Sequence, residues 1–307
     1  MSIAYLVYFH VCYISPYQAS HRDILEQMRR QTISVSYDSH IIPCEILFTS
    51  DDMSFNTILF LGSGQVDQIS HRVAQLCPPN IAVVQGAPHW IINENNANDF
   101  MAAFVKQTLD YLLAHVQIQQ LDIIAESQAT PPTIFYCAQP EYLSRLRTLT
   151  LIQPLGLTST YYQRHQHIIK LFRRRMTKNI LHQLGSLLTD KYMRRNYRTV
   201  MKRVSLTNTT IQHQFAHGLS VNSFKELQQI YHNNHHIVII SGKYDALFPP
   251  RVIQQNLAKY QLPIPVIRVS RAAHSSLATR QGYRLLKIAL ACQPRTTDIT
   301  TANTPAN

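Results

Sequence analysis

The sequence predicts an α/β chain built on a doubly wound, mostly parallel sheet, with a helical segment inserted late in the fold. Three observations carry this. Six apolar runs are continuous rather than alternating, which suits strands buried on both faces. Helical periodicity separates several of these runs, and alternating strand and helix signals build a parallel sheet by right-handed crossovers. Five of only eight glycines (Gly62, Gly64, Gly86, Gly156 and Gly242) fall at or just beyond the ends of the runs, where the chain must turn over one edge of a sheet.

In chain order the runs are "TILFLG" (57–62), "IAVVQG" (81–86), "LDIIAES" (121–127), "LRTLTLIQP" (146–154), "HHIVIISG" (235–242) and "PVIRVS" (265–270). The first twenty residues are also apolar, but no Lys or Arg precedes Arg22, so they lack the basic start of a signal peptide and read as structure, a strand. After the first run Val66, Ile69, Val73 and Leu76 recur at helical spacing. Before the third, Met101, Phe104, Val105, Leu109, Leu112 and Val116 do the same, with Asn98 as the expected N-cap.

Between the fourth and fifth runs the texture changes. Ile168, Phe172, Met176, Ile180 and Leu184 repeat every four residues among mostly basic positions, and Met193, Tyr197, Val200, Met201 and Val204 continue the pattern. A third helix is expected to open on Ser223 and Glu226 as a capping box. The expected organisation is therefore a sheet core formed by 1–157 and 236–292, a helical basic lid over 158–235, and a polar, disordered tail at 293–307.

Charge is concentrated in the lid. Residues 161–204 hold twelve Lys and Arg against the single acid Asp190, a balance of +11 out of the chain's +12. Such a segment covers solvated helices, attracts anionic lipid headgroups, or steers an acidic substrate or acidic carrier protein. No recognition motif or aromatic stacking set accompanies it, so no nucleic acid is expected.

The five cysteines are odd in number, scattered and never paired as C-x-x-C, which indicates neither a disulfide framework nor a cysteine zinc site and predicts a reducing, cytoplasmic setting. No run reaches the roughly 18–20 apolar residues of a membrane span. His213 with His217, and His232 with His235 and His236, lack a companion carboxylate, so no metal is expected. Gly62-x-Gly64 lacks the third glycine of a dinucleotide loop, Asp67 standing in its place, and no cofactor is expected.

The chemistry-bearing residues stand at the ends of runs. Ser127 ends the third, Asp245 follows the fifth in "GKYDALFPP", and His274 follows the sixth in "VIRVSRAAHSSL". A serine hydroxyl is a weak nucleophile until a neutral imidazole takes its proton, and a carboxylate holds that imidazole in the useful tautomer. In this order and placement the chain resembles the α/β-hydrolase family, whose nucleophile, acid and histidine leave the same sheet edge in that sequence. "PEYLSRLRTLTLIQPLG" is similar to the passage that follows the family's nucleophile, and "GKYDALFPP" to its G-x-x-D-x-x-x-P acid loop.

The resemblance implies a cofactor-free serine hydrolase acting on an ester or thioester, with Ser127 as nucleophile, His274 as base and Asp245 as its orienting acid. It also implies an oxyanion hole formed by the backbone N–H of Gln128 together with that of Gly64 or Gln65. Family members acting on pimeloyl-carrier-protein methyl esters use a basic lid to meet an acidic carrier. A rival reading keeps the fold without catalysis, the basic lid docking an acidic partner.

Two features depart from the family pattern. The usual G-x-S-x-G turn reads Ala125-Glu126-Ser127-Gln128-Ala129, and Pro131-Pro132 follow it. A helix starting at Gln128 puts those prolines where N–H donors are required; a helix capped by Thr130 makes Pro131 its first residue.

Overall fold

The computed structural model describes residues 28–37, 40–62, 67–85, 97–115, 120–158, 170, 174–175, 177–179 and 221–293. Its centre is an eight-stranded sheet: β1 (Arg29–Tyr37), β2 (His40–Phe48), β3 (Thr57–Phe60), β4 (Ile81–Val84), β5 (Leu121–Glu126), β6 (Leu146–Ile152), β7 (His236–Gly242) and β8 (Val266–Val269). The order across the sheet is β1-β2-β4-β3-β5-β6-β7-β8. β2 runs antiparallel to β1 and β4, and every other neighbouring pair is parallel.

The helices are α1 (Asp67–Leu76), α2 (Ala97–His115), α3 (Thr130–Cys137), the single turn α4 (Pro140–Leu143), α5 (Phe224–His232), α6 (Pro250–Lys259) and α7 (Arg280–Ala291). They divide between the two faces. Met101, Phe104, Val105 and Leu109 of α2, Ile134 of α3, Phe224, Leu227 and Ile230 of α5, and Ile253 and Leu257 of α6 pack with Ile58, Phe60, Ile123, Leu149 and Ile239. On the opposite face Val73 of α1 and Leu285, Leu286 and Ala289 of α7 pack with Leu59, Leu61, Ile124, Val238 and Ile240. Successive strand residues thus point into different apolar layers, which is why the strands read as continuous apolar runs. Each fully buried aliphatic side chain contributes about 1.5–3 kcal/mol.

Several expectations change in detail. The six runs correspond to β3–β8, but the sheet also contains the hairpin β1–β2, which does not stand out as a continuous run. In β1 only Ile33 and Val35 are buried, while Thr32, Ser34 and Ser36 between them are exposed, the alternation of a strand with one wet face. Gln107 of α2 grips this outer strand, accepting from Ser36 N at 2.8 Å and donating to Ser36 O at 2.6 Å.

Asn98 lies inside α2 rather than before it, since the helix begins at Ala97. Ser223 precedes α5 but makes no side-chain cap; Asn222 Oδ1 accepts from Phe224 N at 3.1 Å in its place. α5, although within 158–235, buries its apolar face in the sheet's core. The rest of that segment lies mostly outside the described residues, as do the first 27 residues and the tail beyond 293; residues 174–175 and 177–179 are helical.

Candidate active site

Because β3, β5, β6, β7 and β8 are parallel, their carboxyl ends share one rim, and the segments leaving β5, β7 and β8 carry Ser127, Asp245 and His274. Ser127 Oγ lies 3.1 Å from His274 Nε2, and His274 Nδ1 lies 3.0 Å from Asp245 Oδ2. The structure therefore brings these three distant side chains into one hydrogen-bonded line.

Ser127 sits at φ 51°, in the left-handed region that a residue with a Cβ occupies only at a cost of order 1–3 kcal/mol. The surroundings fix it there. Its carbonyl accepts from Thr130 N and from Leu155 N (3.2 Å), and Thr130 Oγ1 donates to it at 2.6 Å. Ser127–Ala129 form a single 3₁₀ turn before α3. Thr130 is thus the first α-helical residue and Ala129 the cap, so Pro131 and Pro132 fall in the first turn, where missing N–H donors leave no helical bond unmade.

Gly62 explains how strand β3 tolerates the turn. A Cβ there would lie 3.1 Å from Ser127 Cβ and 3.0 Å from Glu126 Oε2, so any larger residue would press the turn and the Glu126 carboxylate away by a few tenths of an ångström. Its N–H donates to Glu126 Oε2 at 2.7 Å, which gives this buried carboxylate a fixed place beneath the turn. Glu126 is not among the site residues expected from the sequence; the signal for it is a carboxylate at the last position of a strand that is apolar from Ile123 to Ala125.

Asp245 is buried and fully engaged. Oδ1 accepts from Leu247 N (2.9 Å) and Phe248 N (2.8 Å), leaving Oδ2 to the imidazole. Its loop and the His274 loop are stitched together: Lys243 N donates to Val269 O and Tyr244 N to Ala272 O, both at 2.9 Å. A Cβ on Gly242 would stand 2.5 Å from the backbone oxygen of Ala272, so glycine is required at this crossing. The Phe248 ring meets the His274 imidazole edge-on, with centroids 4.9 Å apart.

Burial alone would push the His274 imidazole down, but the charge of Asp245, its hydrogen bond and the charge of Glu126 outweigh it, so His274 titrates above the ordinary histidine value. The thiols of Cys44, Cys77 and Cys137 are pushed up to about 12 by burial and are inert at neutral pH.

Of the oxyanion residues expected from the sequence, Gln128 is the buried second residue of the 3₁₀ turn, beside Ser127, while Gly64 and Gln65 lie outside the described residues. His213 and His217 lie outside them as well. Among the described residues, no group of three or more His, Cys, Asp and Glu side chains is arranged to hold a metal, and no helix is long and apolar enough to cross a membrane.

No protein-family model and no curated protein sequence matches the chain. Solved structures do. MGS-M2, an α/β hydrolase enzyme from a Medee basin deep-sea metagenome library, superposes with a TM-score of 0.53 at 16% identity, over 86% of this chain and 98% of that one. A bromoperoxidase from Bacillus anthracis gives 0.53 at 12% identity, over 86% and 100% of the two chains. The 2-hydroxy-6-oxo-6-phenylhexa-2,4-dienoate hydrolase from Rhodococcus sp. strain RHA1 gives 0.51 at 12% identity, over 85% and 98%. With its strand order, its parallel rim and these neighbours, the chain has the α/β-hydrolase fold.

Proposed function

We propose that the chain is a serine hydrolase that cleaves a carboxylic ester or thioester through an acyl-enzyme. The observation that carries this is the line Ser127 Oγ to His274 Nε2 (3.1 Å) and His274 Nδ1 to Asp245 Oδ2 (3.0 Å). Neighbours described as hydrolases support the reaction class.

In the proposed cycle, Ser127 Oγ attacks the carbonyl carbon as its proton passes to His274 Nε2, and Asp245 stabilises the imidazolium through Nδ1. The oxyanion of the tetrahedral intermediate is held by the N–H of Gln128 with that of Gly64 or Gln65. Collapse breaks the bond to the leaving oxygen or sulfur, which takes the proton from His274. Water then repeats the sequence on the acyl group, releasing the acid and restoring Ser127.

The +11 balance of residues 161–204 supports a finer proposal, that this segment steers acidic acyl substrates or an acidic carrier protein toward the rim. If so, rates on anionic esters fall steeply with salt while those on neutral esters do not.

The test is turnover of p-nitrophenyl esters graded in acyl length and charge, by the wild type and by Ser127→Ala. Hydrolysis reduced on the order of 10³-fold or more in the variant is expected. Equal turnover by both proteins moves the nucleophile elsewhere. A folded wild type without activity on any ester favours the second reading, a non-catalytic protein whose basic segment binds an acidic partner.

A further inference from the structure

The loop that carries His274 is held by side-chain amides. Ala273 N donates to Gln281 Oε1 at 3.0 Å, Gln153 Nε2 donates to Ala273 O at 2.6 Å, and Ser275 N donates to Gln153 Oε1 at 3.3 Å. The peptide groups of His274 itself are both taken by one residue: His274 N donates to Asn179 Oδ1 and Asn179 Nδ2 donates to His274 O, each at 2.9 Å.

Gln281 opens the helix that follows the loop, and Gln153 stands at the end of β6, so both belong to the sheet core. Asn179 does not. It lies in the segment between β6 and α5, in a helical stretch where Thr177 and Lys178 are exposed while Asn179 is 3% exposed. A carboxamide offers a donor and an acceptor side by side, the complement of one residue's C=O and N–H, and among side chains only Asn and Gln do so. Two bonds to one residue fix the orientation of its backbone as well as its position. The imidazole starts from that Cα.

We propose that Asn179 is a positioning residue through which the inserted segment forms part of the mount of the catalytic histidine, so that the imidazole lines up with Ser127 and Asp245 only while this amide grips residue 274. The inserted segment then does more than border the site: displacing the turn that bears Asn179 lowers the rate of chemistry without removing any group that touches substrate. This rests on the serine hydrolase reading. Among the described residues the charged groups acting on His274 are Asp245 and Glu126, while Ser127, Asn179 and Phe248 meet it as neutral groups.

The test uses the full-length chain and three variants, Asn179→Leu, Asn179→Gln and Ser127→Ala, with a neutral p-nitrophenyl ester and a fluorophosphonate as probes. Asn179→Leu keeps the branching of the side chain and removes both hydrogen bonds. Its kcat and inactivation rate are expected to fall about 10–100-fold, the scale of an ångström's misplacement of a catalytic group, with KM changed less than about threefold. Its acid limb of kcat/KM is expected to move to lower pH, because a looser contact weakens the upward pull of Asp245 on His274. Asn179→Gln retains donor and acceptor and is expected to recover part of the rate.

A folded Asn179→Leu protein with wild-type kcat overturns the proposal, and so does one that loses rate with its acid limb unmoved. Hydrogen exchange of the wild type gives a readout that needs no variant: the His274 N–H is expected to be protected, and rapid exchange overturns the proposal. Labelling that survives Ser127→Ala moves the nucleophile elsewhere and overturns the assignment of Ser127, and this proposal with it; normal behaviour of Asn179→Leu beside an inactive Ser127→Ala overturns this proposal alone.

Discussion

Asp245→Asn is the sharpest perturbation of the proposed mechanism, because the structure dictates which way the new amide must face. Two backbone donors, Leu247 N and Phe248 N, point at Oδ1 from 2.9 and 2.8 Å. An asparagine has one oxygen and one NH₂. Turning the NH₂ toward two fixed N–H groups forfeits both bonds, at about 1–3 kcal/mol for each donor left unsatisfied. The oxygen therefore stays there and the NH₂ faces His274 Nδ1, which can only accept. The imidazole proton is thereby driven to Nε2, where it points at Ser127 Oγ and blocks proton abstraction.

Together with the lost stabilisation of the imidazolium, this tautomer error costs on the order of 10⁴ in kcat, about 5 kcal/mol in barrier. The assay is ester turnover and fluorophosphonate inactivation of purified Asp245→Asn, with thermal unfolding to establish that it folds. A folded variant within tenfold of the wild type at pH 7–8 refutes the assignment of Asp245.

Three further outcomes are expected. His274 must be neutral to accept the serine proton, and its folded value is raised, so kcat/KM should fall as pH drops through a midpoint above the ordinary histidine value of about 6.5; a midpoint below it contradicts the site's electrostatics. Glu126→Gln keeps an acceptor for Gly62 N and removes a charge that raises His274, so the acid limb should shift to lower pH than in the wild type, and an unmoved limb means that Glu126 carries no charge that His274 feels. At the opposite end of β5, Asp122 is buried, paired with Arg147 (Nε to Oδ1, 2.8 Å) and bonded by Thr148 Oγ1 (2.7 Å). Arg147→Ala strands that charge and should lower stability by roughly 3 kcal/mol in denaturant unfolding, while leaving fluorophosphonate labelling per folded molecule unchanged; unaltered stability refutes a buried ionised Asp122.

The parallel part of the fold was legible because Ile58 and Leu59, or Val238 and Ile239, sit on opposite faces with helices over each, so no polar alternation interrupts the runs. The hairpin β1–β2 carries no such run. Its first strand alternates, and its second contains Pro43 and Glu45. Pro43 is tolerated because the β2–β4 ladder covers only Ile46–Phe48, so among the described residues no strand on that side needs its missing N–H.

The meeting of Ser127, Asp245 and His274 at one rim could be argued from run order, since each follows a parallel strand. The amides that hold the histidine loop could not. Gln153 and Asn179 belong to other elements, far from residue 274 in sequence, and no local period marks a side chain whose partner is another segment's backbone. The Ser127 turn was ambiguous for a different reason: with alanines at 125 and 129, the backbone geometry rests on hydrogen bonds from nearby Thr130 and distant Leu155 rather than on glycine.

The most direct measurement of the central claim is the site of covalent modification after treatment with a fluorophosphonate, read by peptide mass spectrometry on the wild type. One adduct is expected, on the hydroxyl of Ser127, formed more slowly as pH falls through the His274 titration. An adduct on any other residue, or a folded protein that stays unmodified, contradicts it.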